Sequence, residues 1–129
     1  MRRKKYTEKE KLASNTYSRL KSKVEYDLEQ HWSRKDFIKW YIGKAQECCY
    51  CRCTKEQLDK FYKLTNSKRY VKRGKTLEIE RRKDKEYSKD NCDFSCYWCN
   101  NAKSDVFSSD EFQQIGEAIG KVIKEKIKL

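Results

Sequence analysis

Cys48 and Cys51 form one Cys-X-X-Cys turn, Cys96 and Cys99 form another, and Asn100 follows the second directly. Each such turn presents two sulfurs to one ion. Two turns complete a tetrahedral thiolate set that suits zinc and leaves no open position for chemistry. That site is a brace. Cys49 and Cys53 offer a competing register, but only Cys48 and Cys51 have the two-residue gap. Cys92 reads as a small buried hydrophobe. The stretch between Cys51 and Cys96 is longer than in a simple zinc ribbon, so a sub-structure must fit inside it.

A second kind of chemistry lies beside the brace. Thr76–Arg81 alternates apolar and polar residues and ends in Glu80-Arg81, while Asn100 opens a helix after the second turn. Strand, loop, strand and helix in that order make a ββα unit. A carboxylate and an amide oxygen at its mouth suit a hard ion such as Mg²⁺ or another divalent cation, which keeps waters and borrows phosphate oxygens. The bland alternative is a solvated strand end and a helix cap.

The elements that must position these groups follow from local signals. Thr7-Glu-Lys-Glu10 is a capping box that opens a helix with a stripe of Leu12, Tyr17, Leu20 and Val24. Val24, Tyr26 and Leu28 alternate with charged residues and predict a short strand. Ser33 caps a second helix carrying Phe37, Ile38, Trp40 and Tyr41. Residues 68–75 concentrate positive charge and read as a basic loop or hairpin tip. Leu77 and Ile79 face inward from the following strand, residues 82–91 are turn-like, and Cys92–Ser95 forms the second strand. Helix begins again at Asn100–Lys103. Ser108-Ser-Asp-Glu111 caps the last helix, whose expected buried face is Phe112, Ile115, Ile119, Ile123 and Ile127. Gly116 and Gly120 on that helix each cost about 1 kcal/mol relative to Ala, so something must pack closely there.

Composition narrows the class. The 129 residues fit one domain with a short arm, and 36% hydrophobic against 40% charged residues predict a thin core that gains from a metal staple. Seven cysteines, an odd number, argue against a full disulfide framework. No stretch is long and apolar enough to cross a bilayer, and the basic start runs into polar sequence. The expectation is a cytoplasmic protein with no membrane partner and no small-molecule cofactor. A net charge of +12 points to a polyanion, nucleic acid first. The plain alternative is a solvated lysine-rich surface. Arg2 and Arg3 in the arm, with Lys68, Arg69, Lys72, Arg73 and Lys75 in the basic segment, are the candidate DNA contacts.

Taken together, Cys-X-Tyr-Cys around Cys48, an acid and a base on a strand, Tyr87 to Asn91, and Cys-Tyr-Trp-Cys-Asn-Asn-Ala-Lys103 resemble the HNH (ββα-metal) endonucleases. Trp40-Tyr41, Ala45-Gln46, Lys103-Ser104, Phe107-Ser108 and Gly116-Glu-Ala-Ile119 extend the likeness toward one restriction-endonuclease branch. The resemblance covers roughly residues 32–123. It implies an α+β fold: a small zinc-stapled ββα-metal (HNH) domain over 31–129, with N-terminal and C-terminal helices and a basic helical arm over 1–30.

The resemblance also implies roles. Glu80 and Asn100 become ligands of a catalytic divalent ion, and Asn91 holds the loop in shape. Arg81 stands where the family has its general-base His. Arginine stays protonated and has no acceptor, so it can clamp a phosphate but not take a proton. The branch's base position then falls on Tyr41, whose phenol needs a lowered pKa to serve. His31, the only histidine, is the rival base. The function implied is metal-dependent cleavage of double-stranded DNA by a type II restriction enzyme. A phage or mobile-element nicking or homing enzyme and a non-catalytic zinc DNA-binding module are the alternatives. A double-strand cut at a palindrome requires two copies, so a homodimer is expected, built partly from the last or the N-terminal helix. One departure stands out: residues 1–47 hold no cysteine, where that branch carries a second, N-terminal zinc site.

Overall fold

The computed structural model describes residues 6–65 and 77–128. The arginines at 2 and 3 and the basic segment at 68–75 lie outside the described residues. The chain divides into two compact units. One gathers the described residues up to Ala45 with Glu86–Asp90; the other holds the described residues of 46–85 and 91–129. The expected boundary at residue 30 falls inside the first unit.

In the first unit, α1 (Glu8–Lys23) starts at the Thr7 capping box, with Glu10 bonding back to the cap. Its buried face is Ala13, Thr16, Tyr17 and Leu20. Leu12 and Val24 are only half-buried. The strand expected at Val24–Leu28 is absent. Asp27 instead accepts from the Glu29 amide and caps a single-turn helix, α2 (Leu28–His31). The alternation was genuine, but a capping aspartate won over it. α3 (Arg34–Gly43) begins at Ser33 and lays Phe37 and Tyr41 against α1. Aromatic rings fill this core. Tyr17, Trp32 and Trp40 each sit within 5.6 Å of Phe37, near the tilted and edge-on spacings aromatic pairs prefer.

The second unit contains a helix that the sequence reading did not anticipate, α4 (Lys55–Thr65), burying Leu58 and Tyr62. Beyond it, β1 (Glu78–Arg81) and β2 (Cys92–Ser95) pair antiparallel, with Glu80 opposite Asp93 and Ile79 opposite Phe94. α5 (Tyr97–Lys103) follows, so the expected ββα unit is present. The helix starts inside the second Cys-X-X-Cys turn, three residues before Asn100. Cys96 is its cap, its sulfur accepting from the Cys99 amide at 3.4 Å.

α6 (Ser109–Ile127) starts from the Ser108 capping box. Its buried stripe is Phe112, Gly116, Gly120 and Ile123, while Ile115 is exposed and Ile119 and Ile127 are half-buried. The two glycines explain the shift. A Cβ on Gly116 would lie 2.5 Å from that of Tyr50, and one on Gly120 would strike the Cys51 carbonyl. The helix therefore rides directly on the backbone of the first cysteine turn. Among the described residues no helix is long and apolar enough to cross a membrane.

Candidate metal and catalytic site

The cysteines sort themselves by position. The sulfurs of Cys48, Cys51, Cys96 and Cys99 lie within 4.8 Å of one another, and all four residues are buried. They could hold a structural metal such as zinc, in the register the two-residue gap predicts. The thiols compete for protons. Cys51 is drawn far below the ordinary thiol range, chiefly by its hydrogen bond with Cys48, while Cys99 is pushed far above it, chiefly by its own bond with Cys48. Four thiolates that close need a cation among them. Cys49 is not in the cluster; its amide donates to Phe94 and burial pushes its thiol up. Cys53 and Cys92 are buried outside it.

A second cluster lies between β1 and α5. Side chains two apart on a strand share a face, as do side chains three apart on a helix. Glu78 and Glu80 therefore share one face of β1, and Asn100 and Lys103 share one face of α5. The Asn100 amide nitrogen donates to Glu78 Oε2, and Lys103 Nζ stands 4.0 Å from Glu80 Oε2. That ion pair is too long to be a hydrogen bond, and Glu80 Oε2 is buried with no hydrogen-bond partner. Burial raises the pKa of the Glu80 carboxyl, and the charge of nearby Lys103 only partly offsets it. A buried carboxylate oxygen without a donor is costly unless a cation reaches it. With the Asn100 amide oxygen on the same helix, the donors fit a hard divalent cation.

The sequence reading missed Glu78 and Lys103. The signal for Glu78 was its period-two relation to Glu80. Lys103 is buried; its place at the end of the second cysteine motif marked it, but no role was read from it.

Asn91 ties the loop between the strands. Its Oδ1 accepts from the amides of Lys83 and Asp84, and its Nδ2 donates to the Asp84 carbonyl and carboxylate at 3.0 and 2.9 Å. Arg81 is exposed, next to inward-facing Glu80 in a strand where side chains alternate, and its guanidinium donates to the Lys85 carbonyl at 2.7 Å.

Behind the strands, Tyr50 shares a 2.8 Å hydrogen bond with Ser109, which in turn donates to the Arg82 carbonyl. This links the first cysteine turn, α6 and the end of β1.

The two candidate bases sit in the first unit and differ sharply. Tyr41 is 1% exposed, its ring 5.9 Å from Phe37. Burial raises its pKa against a hydrogen bond with Thr16. Both facts run against a phenolic base, which must be reached by water and ionise easily. His31 is exposed, stacked edge-on to Tyr26 at 4.7 Å, and lines a groove with Trp40, Lys39 and Lys44.

No family model matches the chain, and no curated protein matches it. Among solved structures it is similar to the rare-cutting HNH restriction endonuclease PacI, described as exhibiting an extraordinary mechanism of DNA perturbation. The likeness covers 92% of this chain and 89% of that one, with a TM-score of 0.64 and 23% identity. The chain has an HNH-like fold.

Proposed function

We propose that this HNH-fold chain is a divalent-metal-dependent endonuclease acting on double-stranded DNA, of the type II restriction kind. One observation carries the reading: in a ββα unit, a buried glutamate oxygen with no hydrogen-bond partner lies 4.0 Å from Lys103 on the helix that also carries Asn100. Glu80 and Asn100 would hold Mg²⁺, and the ion would neutralise charge developing on a phosphodiester. Asn91 fixes the loop that follows β1. Arg81, exposed at the strand end, would meet a phosphate and stabilise its charge, but would not accept a proton. Of the two candidate bases carried by the first unit, His31 is exposed and Tyr41 is buried with a raised pKa, which favours His31.

The partner is DNA on grounds of charge: a net +12 favours a polyphosphate, and the PacI structure concerns DNA. Cutting both strands at a symmetric target requires two copies of a single-site chain, so the working form is a homodimer. The zinc is structural and takes no part in the chemistry.

The test is supercoiled plasmid incubated with and without Mg²⁺. Omitting the ion is preferable to a strong chelator, which would also attack the cysteine site. Mg²⁺-dependent conversion to linear product is expected, and Glu80→Ala should slow it by about 100-fold or more. Nicked circles alone would point to a nicking enzyme. Binding without any cleavage would point to a zinc DNA-binding module. Full activity in Glu80→Ala would remove the metal site.

A further inference from the structure

Glu78 has no role in the function proposed above, yet it is the residue that touches Asn100. An amide has two unlike ends: its nitrogen only donates and its oxygen only accepts. An ionised carboxylate only accepts. Facing Glu78, Asn100 must therefore present its nitrogen, as it does. The planar amide group then turns Oδ1 away from Glu78. Beside this pair is a polar cavity of about 220 Å³ lined by Glu78, Tyr97, Asn100, Asn101 and Ser104, room for a hydrated ion next to the Asn100 amide, although Glu80 is not part of its lining. An asparagine with no such partner can flip and offer its NH₂ end to a cation, which repels it.

We propose that Glu78 is a positioning residue: it grips the Asn100 amide by its nitrogen and so keeps the amide oxygen free to ligate a divalent cation. This rests on the metal-site reading above. It differs from a direct ligand role for Glu78 and from a mere tie between β1 and α5. Partners that orient a metal ligand typically matter by about 10–100-fold in metal affinity.

The experiment is Mn²⁺ binding to the zinc-loaded protein, followed by electron paramagnetic resonance, with a thermal melt of each variant as the check on folding. Glu78→Leu removes the acceptor and should weaken Mn²⁺ binding by about 10–100-fold. Glu78→Gln keeps an oxygen that accepts from the same nitrogen and should bind within about threefold of the parent, by the same reasoning about orientation. Asn100→Asp offers two equivalent oxygens, so nothing remains to orient. Adding Glu78→Leu to it should cause no further loss.

Three results overturn the proposal. If Glu78→Gln binds as weakly as Glu78→Leu, Glu78 acts through its charge. If Glu78→Leu binds normally while Asn100→Ala does not, the metal site stands and the positioning role falls. If Asn100→Ala binds normally, the metal-site reading falls as well. Should Glu78→Leu lose its zinc or its cooperative melt, Glu78→Ala takes its place in the same comparison.

Discussion

The two units of the chain are held together by opposite means. In the first, Tyr17, Trp32, Phe37, Trp40 and Tyr41 stack around α1 and α3, and the buried phenol of Tyr17 donates to the Trp32 carbonyl at 2.6 Å. Arg34 lies over the Tyr17 ring at 4.7 Å and also bonds Ser14 and Ser18. Little there is strained. The second unit gathers four buried cysteines, a helix pressed onto bare backbone, and a buried carboxylate oxygen without a partner. A region clamped by a metal can hold a poorly satisfied polar cluster that aromatic packing alone would expel. Chemistry is expected where that misfit is tolerated.

Removing the clamp should separate the units most strongly. Cys99→Ser removes one of the four clustered sulfurs, and structural zinc in small modules contributes about 10–16 kcal/mol of binding. The expected loss exceeds about 4 kcal/mol, beyond the usual range for one substitution. The three tryptophans report on each side, since Trp98 lies in α5 while Trp32 and Trp40 belong to the aromatic core. In a two-dimensional NMR spectrum the Trp98 indole signal should collapse while the other two persist. Simultaneous loss of all three would mean that the first unit cannot stand without the second.

The next contrast sets a core phenol against an exposed imidazole. Tyr41→Phe removes a hydroxyl bonded to Thr16 inside the aromatic core. It should cost about 1 kcal/mol of stability and leave cleavage nearly intact. His31→Ala should slow cleavage by about 100-fold or more while leaving the melt unchanged. Both are read by plasmid cleavage and thermal unfolding of the same preparations. The reverse pattern would return the base to Tyr41 and show that its burial is relieved when substrate binds.

What could be read in advance depended on distance along the chain. The capping boxes at Thr7 and Ser108, and the cysteine register, are contained in four residues each, and both were legible. So was the penalty of Gly116 and Gly120, though only the structure shows that Tyr50 and Cys51 collect the benefit. α4 was missed although its signal is local: Thr54 and Gln57 cap each other reciprocally, a pattern readable as Thr-X-X-Gln. Glu78 could be read only as a neighbour of Glu80 two positions along the strand, and the part played by Lys103 could not be read. Each matters only because β1 lies against α5, and that register is set by how strand and helix meet. The burial of Tyr41 was hidden for a related reason. Its helix could present the phenol to solvent or to α1, and only the packing of α1 decides which.

The smallest expected effect tests whether the first unit is as relaxed as it looks. Burial, then the charge of Glu29, pushes the Tyr17 phenol up to about 12 from an ordinary value of 10. A group that holds its proton more tightly when folded stabilises the fold fully below its unfolded pKa, and loses that contribution as pH rises through the folded one. The window is therefore pH 10 to 12. Tyr17→Phe gives up the bond to the Trp32 carbonyl, about 1 kcal/mol at pH 8, but has no proton to lose. Urea midpoints followed by tryptophan fluorescence should show the parent ahead at pH 8 and the gap closing toward pH 12. A gap that stays constant would mean that the phenolate is accommodated without cost. The first unit would then tolerate a buried charge as readily as the second, and the contrast between aromatic packing and metal clamp would fail at its weakest point.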